Sequence, residues 1–277
     1  MRILALHNLK GGVGKTTAAV HLAHLSARAG RATLLWDLDA QGAASWILRV
    51  RVGADTRPRR LLRDRQNLWE AIRGSDWPAL DVLPADLSLR KLETWLHGEE
   101  QPVRAFERAL LDLSGRYECV VLDCPPGLSS LTACVFEVAD ALAVPTIPST
   151  LSLRALASLH QHLEPQRERG LQLLPFLSMV DTRKAMHRHV RDFVRAKGLG
   201  FLVAEIPYSA QVENVAARRL PLTIDGGPPA AQDFEVLARE IEARLDSGAP
   251  GPKLGRSRLQ EFLEDAEASA AQRSSSS

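Results

Sequence analysis

One stretch near the N-terminus constrains the fold more than any other: Lys10-Gly11-Gly12-Val13-Gly14-Lys15-Thr16-Thr17. It follows an apolar run, Ile3-Leu4-Ala5-Leu6, and opens a helix-like run from Thr16 to Ala29, with Gly30 placed to end it. Strand, glycine-rich turn and helix, in that order, are the setting of a phosphate-binding loop. Glycine lets the backbone turn tightly and aim successive N–H groups at one centre. The helix N-terminus adds partial positive charge, so the loop suits a polyphosphate. In such a loop Gly11, Gly12, Val13, Gly14, Lys15, Thr16 and Thr17 surround the phosphates. Lys15 reaches the β- and γ-phosphates, and the Thr16 hydroxyl ligates Mg²⁺. The stretch predicts nucleotide binding.

Two later apolar runs end in carboxylates. Ala32 to Leu38 leads through Asp37 to Asp39-Ala40-Gln41-Gly42, and Cys119-Val120-Val121-Leu122 ends at Asp123, before Cys124-Pro125-Pro126-Gly127. Acids at the C-terminal ends of buried parallel strands lie on the edge where α/β proteins bind ligands. A strand-end aspartate such as Asp123 holds the Mg²⁺ shell in phosphate-loop proteins. Taken alone, Asp37 and Asp39 read as solvated loop acids; their place one strand–helix unit after Lys15 favours a site.

The glycine loop is not of the ordinary kind, because Leu9 stands where a glycine is usual and Lys10 is a second lysine. That arrangement resembles the deviant Walker loop of the ParA/MinD family of ATPases. Asp37-Leu38-Asp39-Ala40-Gln41 resembles the family's first switch, with Ala40 in place of proline. Asp123-Cys124-Pro125-Pro126 resembles Walker B entering the second switch, with Cys124 in a threonine place. Ser152-Leu153-Arg154-Ala155-Leu156 and the positions of Glu213, Ala216 and Pro221 are similar too, so the resemblance spans residues 1 to 245 or so. It implies a homodimer around two ATP molecules, with Lys10 crossing to the partner's nucleotide. Lys10 and Lys15 would neutralise phosphates, Thr16, Asp37 and Asp123 would serve Mg²⁺, and Asp39 would orient the attacking water. It further implies slow hydrolysis triggered by a partner protein, and adenine contacts near the last strand and Tyr208 to Leu222. The cargo of such ATPases is a plasmid, a chromosome or a protein assembly.

Further apolar runs at Leu80–Leu83, Ala141–Val144, Leu173–Val180 and Phe201–Pro207 read as strands. Helical spacing separates them over Leu61–Ile72, Leu87–Leu96, Val103–Leu113, Ser149–Leu159 and Gln232–Leu245. The alternation predicts an α/β fold, a mostly parallel twisted sheet of about seven strands flanked by helices; the resemblance implies that it is of the P-loop NTPase kind. Right-handed crossovers then bring the glycine loop and both switches to one edge. Trp36, Trp69, Trp77 and Trp95 are expected to pack. Residues 1–246 form the expected ATPase domain. Beyond it, Ser247 to Pro252 reads as a linker, and Leu259, Phe262 and Leu263 form a short amphipathic piece among Glu261, Glu264, Asp265 and Glu267. Its acidity argues against docking on anionic lipid, and the closing serines read as loose.

Partners depend on local charge, because the net charge is only +2. Arginines crowd residues 49–65, from Arg49 to Arg65 with Asp55 and Asp64 opposing, and read as a solvated surface. Arg183, Lys184, Arg188, Arg191, Arg195 and Lys197 lie on a second basic stretch, followed by Arg218 and Arg219. In partition relatives, arginines of this C-terminal third bind duplex DNA without reading sequence, so Arg188, Arg191, Arg218 and Arg219 are the DNA candidates. An ordinary charged helix face is the alternative, and with it a switch that acts on proteins alone. No helix-turn-helix run precedes the loop, so operator reading is not expected. Cys119, Cys124 and Cys134 show no paired spacing, which fits a reducing cytoplasm, with association to the nucleoid if DNA is bound. Neither a signal pattern nor an apolar run of spanning length is present, so membrane insertion is not expected. Reductase or metal-insertion chemistry on the same fold would need interface cysteines, for which only Cys124 is placed. An amide-forming enzyme would need a glutamine-hydrolysing domain, for which there is no room.

Overall fold

The computed structural model describes residues 1–53, 58–222 and 229–248. Eight strands form one sheet: β1 (Arg2–Leu6), β2 (Thr33–Asp37), β3 (Arg73–Gly74), β4 (Leu80–Leu83), β5 (Cys119–Asp123), β6 (Ala141–Thr146), β7 (Gln172–Val180) and β8 (Glu205–Pro207). Their order is β3-β4-β2-β5-β1-β6-β7-β8, and every pairing is parallel except β3 with β4. The central strands are buried on both faces, which is why they read as unbroken apolar runs.

The helices in chain order are α1 (Lys15–Arg28), α2 (Ala43–Ile47), α3 (Pro58–Leu61), α4 (Arg65–Ala71), α5 (Arg90–Gly98), α6 (Pro102–Leu113) and α7 (Ser130–Val138). They continue with α8 (Thr150–His162), α9 (Glu164–Glu168), α10 (Ala185–Lys197), α11 (Ala210–Glu213), α12 (Val215–Arg218) and α13 (Pro229–Ser247). Two apolar layers result. On one face Ala19, Ala23 and Leu22 of α1 pack with Phe234, Leu237 and Ile241 of α13. On the other, Phe106 and Leu110 of α6 and Val135 of α7 meet Leu34, Trp36 and Val120. Trp36 is buried and stacks on Phe106 at 5.1 Å. Trp69 lies against Tyr117 at 6.1 Å and Trp77 meets His24 edge-on at 5.7 Å, so the expected packing roles hold.

The sheet differs from the expected seven strands by β3, a two-residue antiparallel edge piece that includes Gly74 and has no alternation to announce it. The helix expected over Leu61–Ile72 is broken. Asp64 caps a new helix by accepting from the Gln66 N–H at 2.9 Å, so α4 starts at Arg65. The helix expected from Leu87 begins as a 3₁₀ turn, Leu87–Leu89, before α5. The last strand is shorter than Phe201–Pro207, because the Val203 and Ala204 N–H groups donate to the Glu240 carboxylate, both at 2.9 Å, and not to β7. The basic stretch Arg183 to Lys197 is α10 only from Ala185 onward. Asp55 and Arg57, the linker from Ala249, the amphipathic piece around Phe262 and the closing serines lie outside the described residues. Among the described residues no helix is long and apolar enough to cross a membrane.

His21 ties α1 to the chain ahead of α13. Its Nδ1 donates to the Thr17 carbonyl at 2.6 Å, its Nε2 accepts from the Leu222 N–H at 2.9 Å, and the ring stacks on Phe234 at 4.0 Å. The neutral tautomer is therefore built in. Burial, against the Thr17 bond, lowers its pKa from 6.5 to about 4. Above pH 6.5 this site adds no acid-dependent penalty. As pH falls from 6.5 toward 4 the unfolded chain takes up a proton that the fold refuses, and stability drops by up to about 3 kcal/mol. Denaturant melts at pH 7 and pH 4.5 should show a smaller loss in His21→Phe than in the parent.

Candidate functional site

The glycine loop leaves the buried end of β1 and enters α1. Asn8 braces its entry: the side-chain amide donates to the Pro145 carbonyl at 2.8 Å, and the Lys10 N–H donates to Asn8 Oδ1 at 2.9 Å. Gly14 caps α1 with a left-handed φ of 92°, and a Cβ there would come 3.0 Å from Ser178 Oγ. Both facts demand glycine. Ser178 Oγ itself donates to the Val13 carbonyl at 2.9 Å and fastens the loop to β7. Lys15 is buried, and its Nζ donates to the Lys10 carbonyl at 3.1 Å, which folds the ammonium back over the loop. Burial lowers its pKa, while Asp123 and Asp39 hold it up.

The carboxylates converge as the sheet register requires, since Asp37 of β2 lies directly beside Asp123 of β5, and Asp123 beside Leu6 of β1. The two acids are in different states of satisfaction. Asp37 Oδ2 accepts from the Ser45 N–H at 2.9 Å and its hydroxyl at 2.7 Å, and Oδ1 accepts from the Asp39 N–H at 3.2 Å. Burial raises its pKa to about 6 despite those bonds. Asp123 is fully buried, and neither carboxylate oxygen has a hydrogen-bond partner. Burial first and Asp37 second push its pKa well up, with the Thr16 hydroxyl and Lys15 pulling the other way. An orphaned buried carboxylate is costly unless something neutralises it. A hydroxyl and a carboxylate aimed at a phosphate loop are a fitting donor set for Mg²⁺, which keeps most of its water and takes few protein ligands. Thr16 and Asp123 fit that ion as direct or water-mediated ligands. The Asp37 carboxylate is already gripped by Ser45 and by the Asp39 turn.

Asp39 stands half-buried on the turn after β2, its Oδ1 accepting from the Gln41 N–H at 2.9 Å. Gly42 closes that turn with φ 62°, and a Cβ there would sit 2.6 Å from the Ala85 carbonyl. A cavity of about 350 Å³ opens over the loop, and Gly11, Gly12, Lys15, Thr16, Thr17 and Asp39 are among its lining. Phe176, Ile206, Val212, Ala216 and Phe234 line it too. It combines the polar and apolar lining of a nucleotide site. A second cavity of about 630 Å³, lined by Asp181, Arg183, Tyr208 and Asp233, shares Glu213 with it. Cys124 is buried and burial pushes its thiol up, so it offers neither a nucleophile nor an open metal ligand.

None of the four arginines marked for DNA is among this cavity's lining residues, and they stand in unequal settings. Arg191 is held by Glu205 at 3.1 Å, and Arg195 binds the same carboxylate. Arg219 lies over the Trp46 ring at 4.1 Å. Arg188 is exposed, its guanidinium donating to the Thr182 carbonyl at 2.7 Å and the Arg183 carbonyl at 3.0 Å; Arg218 is exposed at the end of α12. In the earlier basic stretch, Arg49, Arg63 and Arg65 pair with Asp76, Glu99 and Asp112. Sequence reading missed Asn8, Ser45, Ser178 and Trp46. Asn8, Ser178 and Trp46 act through partners remote in the chain and Ser45 through Asp37, eight residues back, and no spacing signals any of them.

A family profile described as an AAA domain matches residues 1–173. The chain is 33% identical over 235 residues to the chromosome partitioning protein ParA of Caulobacter vibrioides, which covers 81% of this chain and 87% of that protein. It is 37% identical over 202 residues to the chromosome-partitioning ATPase Soj of Thermus thermophilus, covering 71% of this chain and 76% of the relative. The fold is similar to that of cobyrinic acid a,c-diamide synthase from Mycobacterium smegmatis with bound ADP and magnesium. That match has a TM-score of 0.74 at 26% identity and covers 91% of this chain and 98% of that one.

Proposed function

Since the chain belongs to the ParA/MinD family of P-loop ATPases, we propose that it is a partition-type ATPase switch: it dimerises around Mg²⁺-ATP, holds DNA without sequence preference in that state, and lets go after hydrolysis. The observation that carries this reading is the orphaned Asp123 carboxylate beside Thr16 and Lys15, beneath a glycine loop that opens to a cavity with Asp39 in its lining. Lys15 and the loop N–H groups bind the phosphates, and Lys10 reaches the partner subunit's nucleotide. Mg²⁺ held at Thr16 and Asp123 supplies charge neutralisation to the phosphates. Asp39 orients the water that attacks, and Asp37 fixes the turn on which Asp39 stands. The apolar lining of the cavity around Phe176 and Val212 receives the adenine.

The ATPase unit is residues 1–246, and a partner protein triggers hydrolysis. The cargo is a plasmid, a chromosome or a protein assembly, and the ATP-bound dimer is nucleoid-associated. Of the four, Arg188 and Arg218 have neither the carboxylate that holds Arg191 nor the ring beneath Arg219, so they meet duplex phosphates at least cost. Arg191 must leave Glu205, and Arg219 must leave Trp46, to do the same.

Binding to a random-sequence duplex, measured with ATP and with ADP across a salt series, tests the DNA arm. Retention is expected with ATP only, and it should weaken steeply with salt. Arg188→Ala and Arg218→Ala should each lower the slope of log affinity against log salt by about one. Equal absence of binding with both nucleotides would leave a switch that acts on proteins alone.

A further inference from the structure

Trp46 is 54% exposed, yet it is held on several sides. It sits on α2, immediately after the turn that carries Asp39. Its indole Nε1 donates to the Ala216 carbonyl at 3.0 Å, and its own carbonyl accepts from Arg219 Nε at 2.8 Å. The Arg219 guanidinium lies 4.1 Å from the ring centroid, and Arg49 Nε donates to the Arg219 carbonyl at 3.2 Å. Arg49 and Arg219 both adopt left-handed backbone, with φ of 59° and 53°. Side chains other than glycine take that conformation at a cost, and it persists where the surroundings impose it. Two such residues therefore meet in one clasp between α2 and α12.

Each end of the clasp leads to the site. Ala216, with Val212 and Glu213, is part of the cavity wall. On the other side α2 carries Ser45, which grips Asp37 through its N–H and hydroxyl, and Asp37 accepts from the Asp39 N–H. A continuous series of bonded groups thus runs from the wall through Trp46 and Ser45 to Asp39. A single short helix, α2, holds the middle of it. Nothing in the chemistry of phosphate binding requires this link, since the glycine loop is braced separately by Asn8 and Ser178.

We propose that the Trp46–Arg219 clasp positions Asp39 for hydrolysis: a nucleotide seated against the α11–α12 wall sets the place of the Asp39 turn through Trp46. The inference rests on the ATPase reading above. Trp46 and Arg219 are positioning residues, touching neither phosphate nor water. The clasp also makes Arg219 a shared group, since a contact that draws its guanidinium off Trp46 releases the switch helix.

Two measurements test it, both without DNA. In steady-state hydrolysis, Trp46→Ala and Arg219→Gln should each lower kcat about tenfold with KM for ATP within about twofold, as expected for a misplaced catalytic group. The double variant should be no slower than either single one, and Trp46→Phe, which keeps an aromatic ring but not the indole N–H, should fall between. In amide hydrogen exchange, ADP should protect both the glycine loop and residues 39–47 in the parent. In Arg219→Gln the loop protection should persist and that of residues 39–47 should vanish. Additive losses in kcat, a kcat unchanged in Trp46→Ala, or protection of residues 39–47 that is missing in the parent or retained in Arg219→Gln would overturn the proposal. A parent whose glycine loop gains no protection from ADP or ATP would instead sink the nucleotide-switch reading on which the proposal rests.

Discussion

Asp39→Ala is expected to slow ATP hydrolysis by about 10²–10⁴-fold while leaving nucleotide binding equal or tighter. The Asp39 carboxylate lines the cavity and is only half-buried, whereas Asp123 is fully buried, so Asp39 can meet a water. Removing it takes away the group that orients the nucleophile and also a negative charge near the phosphates. Its Oδ1 additionally holds its own turn through the Gln41 N–H. Asp39→Asn keeps that turn bond and loses only the charge, so the two variants separate chemistry from structure. Both should be equally slow in single-turnover phosphate release, with calorimetric affinity for ATP at least that of the parent. A rate within tenfold of the parent in both variants would remove Asp39 from the reaction.

Asp123→Asn should act in opposite directions on stability and on activity. In the free protein Asp123 is a fully buried acid with both oxygens unpartnered, one strand away from Asp37. An uncompensated group of that kind costs roughly 1–3 kcal/mol even at protein-like solvation. The amide that replaces it can donate to Asp37 and carries no charge. Thermal melts of the free variant should therefore lie above those of the parent, whereas Mg²⁺-dependent hydrolysis should fall by about 100-fold or more. The stabilisation that added Mg²⁺-ADP gives the parent should shrink in the variant. A variant that melts lower than the parent without ligand, and is still stabilised by Mg²⁺-ADP to the same degree, would contradict the assignment.

The parts of this site that could be read from the chain are those whose chemistry is local. Gly14 must be glycine because of its own φ and the approach of Ser178, and the neighbouring Lys15 and Thr16 follow one turn of helix. Asp37 and Asp123 announce themselves because an acid at the end of an apolar run has only the sheet edge to occupy. What held those groups was not legible. Ser45 grips Asp37 from eight residues on, Asn8 reaches Pro145 across the sheet, and Trp46 meets Ala216 and Arg219 from the far end of the chain. The same reason explains the shortened β8: Glu240 satisfies the backbone of Val203 and Ala204, and no local pattern in Phe201 to Pro207 reports a helix side chain arriving from α13. Charge was the least legible property of all. Arg188 and Arg191 look alike in sequence, yet one meets only backbone carbonyls and the other a half-hidden glutamate.

The fold alone does not choose the reaction, since a solved neighbour of the same architecture bears the name of a diamide synthase. The state of assembly does discriminate. Sedimentation velocity of the Asp39→Ala chain with Mg²⁺-ATP and with Mg²⁺-ADP isolates the switch from turnover. A species of twice the monomer mass with ATP, and monomer with ADP, is the expected result, and Lys10→Ala should abolish the dimer without abolishing ATP binding. The same mass in both nucleotides, with ATP shown to be bound, would contradict a nucleotide-operated dimer.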